Sequence, residues 1–276
     1  MDYRGYLRVE RLPHVWCPGC GHGMITHALA CAMAELGLDP NKTTIIGGIG
    51  CSGRTAFLFN TDAMHTTHGR AVVFATGLKL VRPELTVVLA LGDGDAIGIG
   101  GNHFIHACRR NIDLTAIVYN NSIYGQTGGQ VAPTTPLQKR STTSPYGNLE
   151  PPFDIARLAI AAGATYVART TSFDFPDMVK FIKRGIAHKG FSVIEVLTHC
   201  PTYYGRLNDL RDPYEMLHNI KEQTVPIEEW DSLSPEERAG KIVIGELHCE
   251  ERPEFVKSYY EFIARMQGQR VKSDGH

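Results

Sequence analysis

Residues 85–130 read LTVVLALGDGDAIGIGGNHFIHACRRNIDLTAIVYNNSIYGQTGGQ, and this stretch decides the fold. An apolar, β-branched run from Leu85 to Leu91 ends in Gly92-Asp93-Gly94. A helical segment over Gly101 to Arg110 follows, and a second apolar run, Leu114 to Tyr119, ends in Asn120-Asn121. Near-continuous apolar runs suit strands buried on both faces of a parallel sheet, and the helix between them is the crossover such strands need. Further out, Thr43 to Gly47, Thr165 to Ala168 and Ser192 to Leu197 read as strands. His22 to Leu36, Gly69 to Leu80, Phe153 to Ala162 and Phe175 to His188 read as helices. This alternation predicts an α/β fold, a doubly wound, mostly parallel sheet with helices on both faces.

Two segments break the pattern. Tyr124 to Glu150 is rich in Gly, Thr, Pro and Ser and is too long for an ordinary connection. Loops of that length inside a compact domain are usually functional. Thr202 to Arg238 is charged, Pro-containing text, and a last helix is expected near Glu254 to Gln267. The expected organisation is a binding domain over residues 1–200 and a C-terminal extension over 201–276 that packs on the core or on a partner chain.

Composition narrows the classes. The net charge of -1 offers no basic stripe for nucleic acid and no polybasic membrane patch. Apolar runs such as Val87 to Leu91 are far too short to span a bilayer. The opening MDYRGYLRVE has no apolar signal core, so a soluble, cytoplasmic protein is expected. Seven cysteines, an odd count without framework spacing, do not read as secreted disulfides. Cys31, Cys108 and Cys249 sit in helical or strand-like text and read as packing residues. Cys17, Cys20, Cys51 and Cys200 sit beside Gly, Pro or Ser in loop-like text.

Ligands bind at the carboxyl ends of strands in open α/β sheets, and both Asp93 and Asn121 fall there, on neighbouring elements. Magnesium prefers hard oxygen ligands and commonly keeps phosphate oxygens in its shell. A carboxylate, an amide oxygen and a backbone carbonyl would make half that shell, with a diphosphate completing it. Asp-Gly and Asn-Ser are also ordinary turn text. The pairing of GDG with NN one βαβ unit later is what separates the readings, and it resembles the thiamine-diphosphate motif. That resemblance makes Asp93 and Asn121 side-chain ligands of Mg2+, gives Ile123 a carbonyl ligand role, and lays Gly94 and Asp95 against the diphosphate or its neighbours.

Cys17-Pro18-Gly19-Cys20 aims two thiolates at one point, and Cys51 and Cys200, each after a strand, supply two more. Four thiolates hold either zinc or an iron–sulfur cluster, and spacing alone does not separate them.

The stretches RLPHVWCPGCGHG, IGGIGCSGR, THGRAVVFATGLKL, GDGDAIGIGGNH, NNSIYGQTGGQVAPTT and EVLTHCPTY together resemble the β subunits of 2-oxoacid:ferredoxin oxidoreductases. The resemblance runs from about Tyr6 to the end of the chain. It implies that Cys17, Cys20, Cys51 and Cys200 bind one 4Fe–4S cluster, and that Ile49, Gly50, Cys51, Ser52, His68, Gly125 and Gln126 contact thiamine diphosphate. His68 is a candidate for a catalytic contact, whereas His65, His103 and His106 read as polar helix faces or satisfied core histidines. The activity implied is CoA-dependent oxidation of a 2-oxoacid with reduction of ferredoxin. An α subunit would carry the pyrimidine-binding domain and its activating glutamate, and small ferredoxin-like subunits are a further partner class. The text after Asn121 looks more like 2-oxoglutarate and branched-chain types than the pyruvate type. Arg54 suits a substrate carboxylate, or equally the cofactor diphosphate or a surface anion. A 2-oxoglutarate enzyme is expected first and a branched-chain or aryl 2-oxoacid enzyme second. A non-redox thiamine decarboxylase or synthase subunit is the third reading, although such an enzyme would not need the four cysteines.

Overall fold

Each apolar run read as a strand becomes one, and together they form the middle of an eight-stranded sheet. The computed structural model describes residues 2–273. In chain order the strands are β1 (Thr43–Gly47), β2 (Asp62–His65), β3 (Thr86–Gly92), β4 (Leu114–Asn120), β5 (Ile123–Tyr124), β6 (Gln130–Val131), β7 (Tyr166–Thr171), β8 (Phe191–Leu197), β9 (Thr224–Pro226) and β10 (Ile242–Cys249). The helices are α1 (His22–Leu36), α2 (Ala71–Val81), α3 (Gly101–Arg110), α4 (Ile155–Ala162), α5 (Phe175–Ala187), α6 (Pro213–Glu222), α7 (Ile227–Trp230), α8 (Pro235–Arg238) and α9 (Phe255–Ser273). β5 and β6 pair as a separate hairpin, and the main sheet runs β2-β1-β3-β4-β8-β7-β10-β9. Its neighbours are parallel except for β7 and β10.

Crossover handedness explains the two helical layers. The β2-to-β3, β3-to-β4 and β4-to-β7 connections all move across the sheet in one direction, and right-handed crossovers put α2, α3 and α4 on one face. The β7-to-β8 connection reverses direction, so α5 falls on the other face, beside α1. The strands alternate accordingly. Val87, Leu89 and Leu91 of β3 enter the core under α2, α3 and α4, while Val88 and Ala90 enter the core under α1 and α5. Each fully buried aliphatic side chain in these layers contributes about 1.5–3 kcal/mol.

Element ends shift where local chemistry demands it. α2 begins at Ala71 rather than Gly69, because Gly69 adopts φ +71 and a Cβ there would lie 2.4 Å from Ile99 Cγ2. α4 begins at Ile155, with Asp154 as its cap accepting from the Arg157 N–H. The chain after Cys200 also holds strands that its charged text does not advertise: β10 joins the sheet on β7, and β9 pairs beside it. α9 starts where Glu254 accepts from the amides of Val256 and Lys257. Cys108 is buried as a packing residue should be. Cys249 is not: it is exposed at the end of β10, beyond the reach of either core layer.

Candidate cofactor and cysteine sites

β1, β3, β4 and β8 are consecutive in the sheet, and their carboxyl ends lead into Ile49–Cys51, Asp93, Asn121 and Cys200 respectively. Sheet order therefore assembles residues that the sequence scatters. Ile49, Gly50, Cys51, Ser52, His68, Asp93, Gly94, Asp95, Asn121, Ile123, Gly125 and Gln126 line one cavity of about 290 Å³.

Asp93 is buried, and burial pushes its carboxyl up to about 6 against hydrogen bonds from Thr134 and the main chain. Thr134 Oγ1 donates to Asp93 Oδ2. A divalent cation beside Asp93 would restore the charged form. Asn121 is turned by Ser122, which takes φ +59, and its Oδ1 accepts from the Ile123 N–H at 3.3 Å. After Gly92-Asp93 the chain makes a π-helical turn, Gly94–Ile99, with the Tyr124 ring packed over it. A Cβ on Gly94 would stand 2.1 Å from that ring, so only glycine fits.

Asp95 joins three segments. Its Oδ1 accepts from the Ile49 N–H (3.1 Å), the Gly69 N–H (2.8 Å) and His68 Nδ1 (2.9 Å). The hydrogen bond to Asp95 raises the His68 pKa, outweighing the effect of its partial burial. The imidazole is held on the cavity wall by this bond. The Ser52 hydroxyl is buried on the same wall and has no partner among the described residues. A carboxylate and an amide at two strand ends, a glycine cradle and an unsatisfied hydroxyl fit a magnesium diphosphate.

Beside this cavity lies a second one of about 520 Å³, lined by Cys17, Cys20, Cys51 and Cys200 together with Trp16, Arg54 and Tyr203. The two share a wall of Cys51, Asn121, Gly125 and Gln126. Arg54 lines only the cysteine side, its guanidinium 6.0 Å from the Phe57 ring centre. Burial raises the thiol of Cys20 to about 12 and that of Cys51 to about 11, and mutual repulsion among the cysteines adds to both. Cys200 is raised by burial too, opposed by the main-chain groups of Tyr203 and Tyr204. These three thiols become thiolates only against strong positive charge, as metal binding supplies. Four thiols lining one cavity fit a metal centre held by cysteines, either zinc or an iron–sulfur cluster.

Several contributors were not evident in the text. His22 is buried in the cofactor wall, with Nδ1 3.3 Å from Cys20 Sγ, and burial beside His199 holds its imidazole down to about 3. Trp16 Nε1 donates to the Cys51 carbonyl at 2.7 Å, and His199 Nε2 lies 2.7 Å from the Gly19 carbonyl. Each sits within two residues of a cysteine, the one signal that marks them. Thr134 lies mid-loop and carries no local signal. His65, His103 and His106 stay outside both cavities: His103 bonds Arg70 and His106 accepts from Arg109.

Residues 48–196 match the family described as thiamine pyrophosphate enzyme, C-terminal TPP binding domain. The 2-oxoglutarate synthase subunit KorB of Methanocaldococcus jannaschii is 50% identical over 264 residues, covering 96% of this chain and 98% of that protein. The subunit of the same name from Archaeoglobus fulgidus is 55% identical over 221 residues, 80% of each. Among solved structures, a chain of the 2-oxoglutarate:ferredoxin oxidoreductase from Magnetococcus marinus, determined with 2-oxoglutarate, coenzyme A and succinyl-CoA bound, superposes with a TM-score of 0.87. It is 33% identical, and the match covers 100% of this chain and 96% of that one. With the strand-end constellation and these relatives in agreement, the chain belongs to the 2-oxoacid:ferredoxin oxidoreductase β-subunit family, built on the thiamine pyrophosphate-binding fold.

Proposed function

We propose that this chain is the β subunit of a 2-oxoglutarate:ferredoxin oxidoreductase, which converts 2-oxoglutarate, CoA and two oxidised ferredoxins to succinyl-CoA, carbon dioxide, two reduced ferredoxins and a proton. The observation that carries the proposal is the shared wall between a diphosphate cavity and a four-thiol cavity. A non-redox thiamine enzyme has no use for the second cavity. Thiamine diphosphate, when bound, would supply a nucleophilic carbon for the keto group of the oxoacid and an electron sink for its decarboxylation. Asp93, Asn121 and the Ile123 carbonyl would hold Mg2+ and, through it, the diphosphate. His68, fixed by Asp95, would contact the cofactor from the cavity wall. Cys17, Cys20, Cys51 and Cys200 would hold a 4Fe–4S cluster, which would supply one-electron transfer.

Substrate choice rests on relatives that bear the 2-oxoglutarate name, and on Arg54 and Gln126, which line the cysteine-side cavity together. A guanidinium fork and an amide suit the second carboxylate of a dicarboxylic oxoacid. The described residues hold one doubly wound sheet, so the groups that contact the cofactor pyrimidine, including its activating glutamate, are assigned to an α subunit. The test is an anaerobic ferredoxin- or viologen-reduction assay on the co-expressed complex, with CoA and a panel of 2-oxoacids. 2-Oxoglutarate should give the highest kcat/KM. Preference for a branched or aryl acid would overturn the substrate assignment and the roles of Arg54 and Gln126, while leaving the oxidoreductase reading intact.

A further inference from the structure

His22 stands between the two cavities. Its ring lines the cofactor cavity, while its Nδ1 lies 3.3 Å from the sulfur of Cys20, a residue lining the cysteine cavity. The side chain is 2% exposed and is held by aromatic neighbours, the Tyr119 ring 5.1 Å away and the Trp16 ring 6.1 Å away. A thiolate only accepts, so contact with a cysteinate requires the tautomer with its proton on Nδ1.

We propose that His22 is a positioning residue for electron exit, donating an Nδ1–H···Sγ hydrogen bond to Cys20 that raises the reduction potential of the cluster. This inference rests on the assignment of a 4Fe–4S cluster to the four cysteines. Reduction of a 4Fe–4S cluster from the 2+ to the 1+ state adds one electron and makes or breaks no bond. The electron comes from the decarboxylated substrate and leaves to ferredoxin, and the proton released in the overall reaction comes from the CoA thiol. The added negative charge spreads onto the sulfurs, so a donor fixed on one of them stabilises the reduced state more than the oxidised state. Burial of the His22 ring strengthens the effect, because water does not screen the donor from its own side.

The test is an EPR-monitored redox titration of the α/β complex with wild-type, His22→Leu and His22→Asn chains, together with iron content. Asparagine carries an N–H on the atom bonded to Cγ, as histidine does at Nδ1, and should restore the bond. His22→Leu should weaken the one-electron equilibrium about tenfold, a shift of about 59 mV to more negative potential. It should also slow reduction by 2-oxoglutarate, while His22→Asn stays near wild type. Leucine and wild-type clusters of equal potential at full iron content would overturn the proposal. If the leucine variant does not assemble, the wild-type complex with 15N-labelled histidine decides: a hyperfine coupling from one histidine nitrogen to the reduced cluster supports the hydrogen bond, and its absence overturns it. No iron–sulfur signal in the wild-type complex would instead overturn the cluster assignment itself.

Discussion

At the residue scale, the site works by holding a few groups in unfavourable surroundings that a ligand relieves. Asp93 is a buried carboxyl whose pKa is raised chiefly by desolvation, and Thr134 pins one of its oxygens. Asp93→Ala should abolish retention of magnesium and thiamine diphosphate by the purified complex. Thr134→Val should weaken magnesium about 10–100-fold, the usual cost of losing a group that orients a metal ligand, while Thr134→Ser keeps it. Magnesium titration followed by cofactor fluorescence measures both, and unchanged affinity in Thr134→Val would remove Thr134 from the site. On the other side of the shared wall, Cys200→Ser should leave cofactor binding in place but reduce electron transfer to viologen at least about tenfold, since a hydroxyl is a poor iron ligand. Full electron transfer in that variant would mean the four thiols do not hold the electron carrier.

At the element scale, β7 and β8 carry a buried ionic cluster that steadies the turn after β4. Arg169 bonds Glu195 at 2.8 Å and also Asp154, and Glu195 accepts from the Asn120 amide at 2.8 Å, one residue from Asn121. Arg169→Met leaves the Glu195 charge buried without its partner and should destabilise the fold by about 3–5 kcal/mol in urea denaturation. A loss below about 1 kcal/mol would show that water reaches Glu195. Glycines and apolar runs made most of these elements legible. GDG and NN announced the ends of β3 and β4 because a strand buried on both faces has only one kind of text. β2 was not legible, since all four of its residues are exposed at the sheet edge and it has no apolar run to betray it. β10 was hidden by Gly245 at φ +127 and by the irregular register between Glu246 and His248, which breaks its pattern. Thr134 was hidden for a related reason: its partner is fixed by the path of a 27-residue connection, Tyr124 to Glu150, and not by spacing.

At the scale of the whole molecule, the mostly parallel sheet gathers the candidate cofactor and thiol groups at the carboxyl ends of its central strands, and the stability of the fold should depend on pH through buried histidines. His188 is half-buried, 2.7 Å from Thr165 Oγ1, and burial lowers its pKa from the ordinary 6.5. The unfolded chain therefore binds a proton that the native chain refuses, so stability is full above about pH 6.5 and declines as pH falls toward the native pKa. The melting temperature should drop between pH 7.5 and 5.5, and His188→Gln should flatten that slope; an identical slope in the variant would clear His188 of the effect. Assembly is the other whole-molecule prediction: the isolated chain should show no oxoacid oxidation, and addition of the α subunit should restore it. Activity in the isolated chain would place the pyrimidine contacts within this sheet. The central claim is that an oxoacid oxidised in one cavity sends its electrons into the other. Freeze-quenched EPR of the anaerobic complex, loaded with magnesium and thiamine diphosphate and mixed with 2-oxoglutarate, tests it directly. A reduced 4Fe–4S signal appearing within the turnover time, and absent without thiamine diphosphate, is the predicted result; decarboxylation with the cluster still oxidised, or a preparation free of iron, would contradict it.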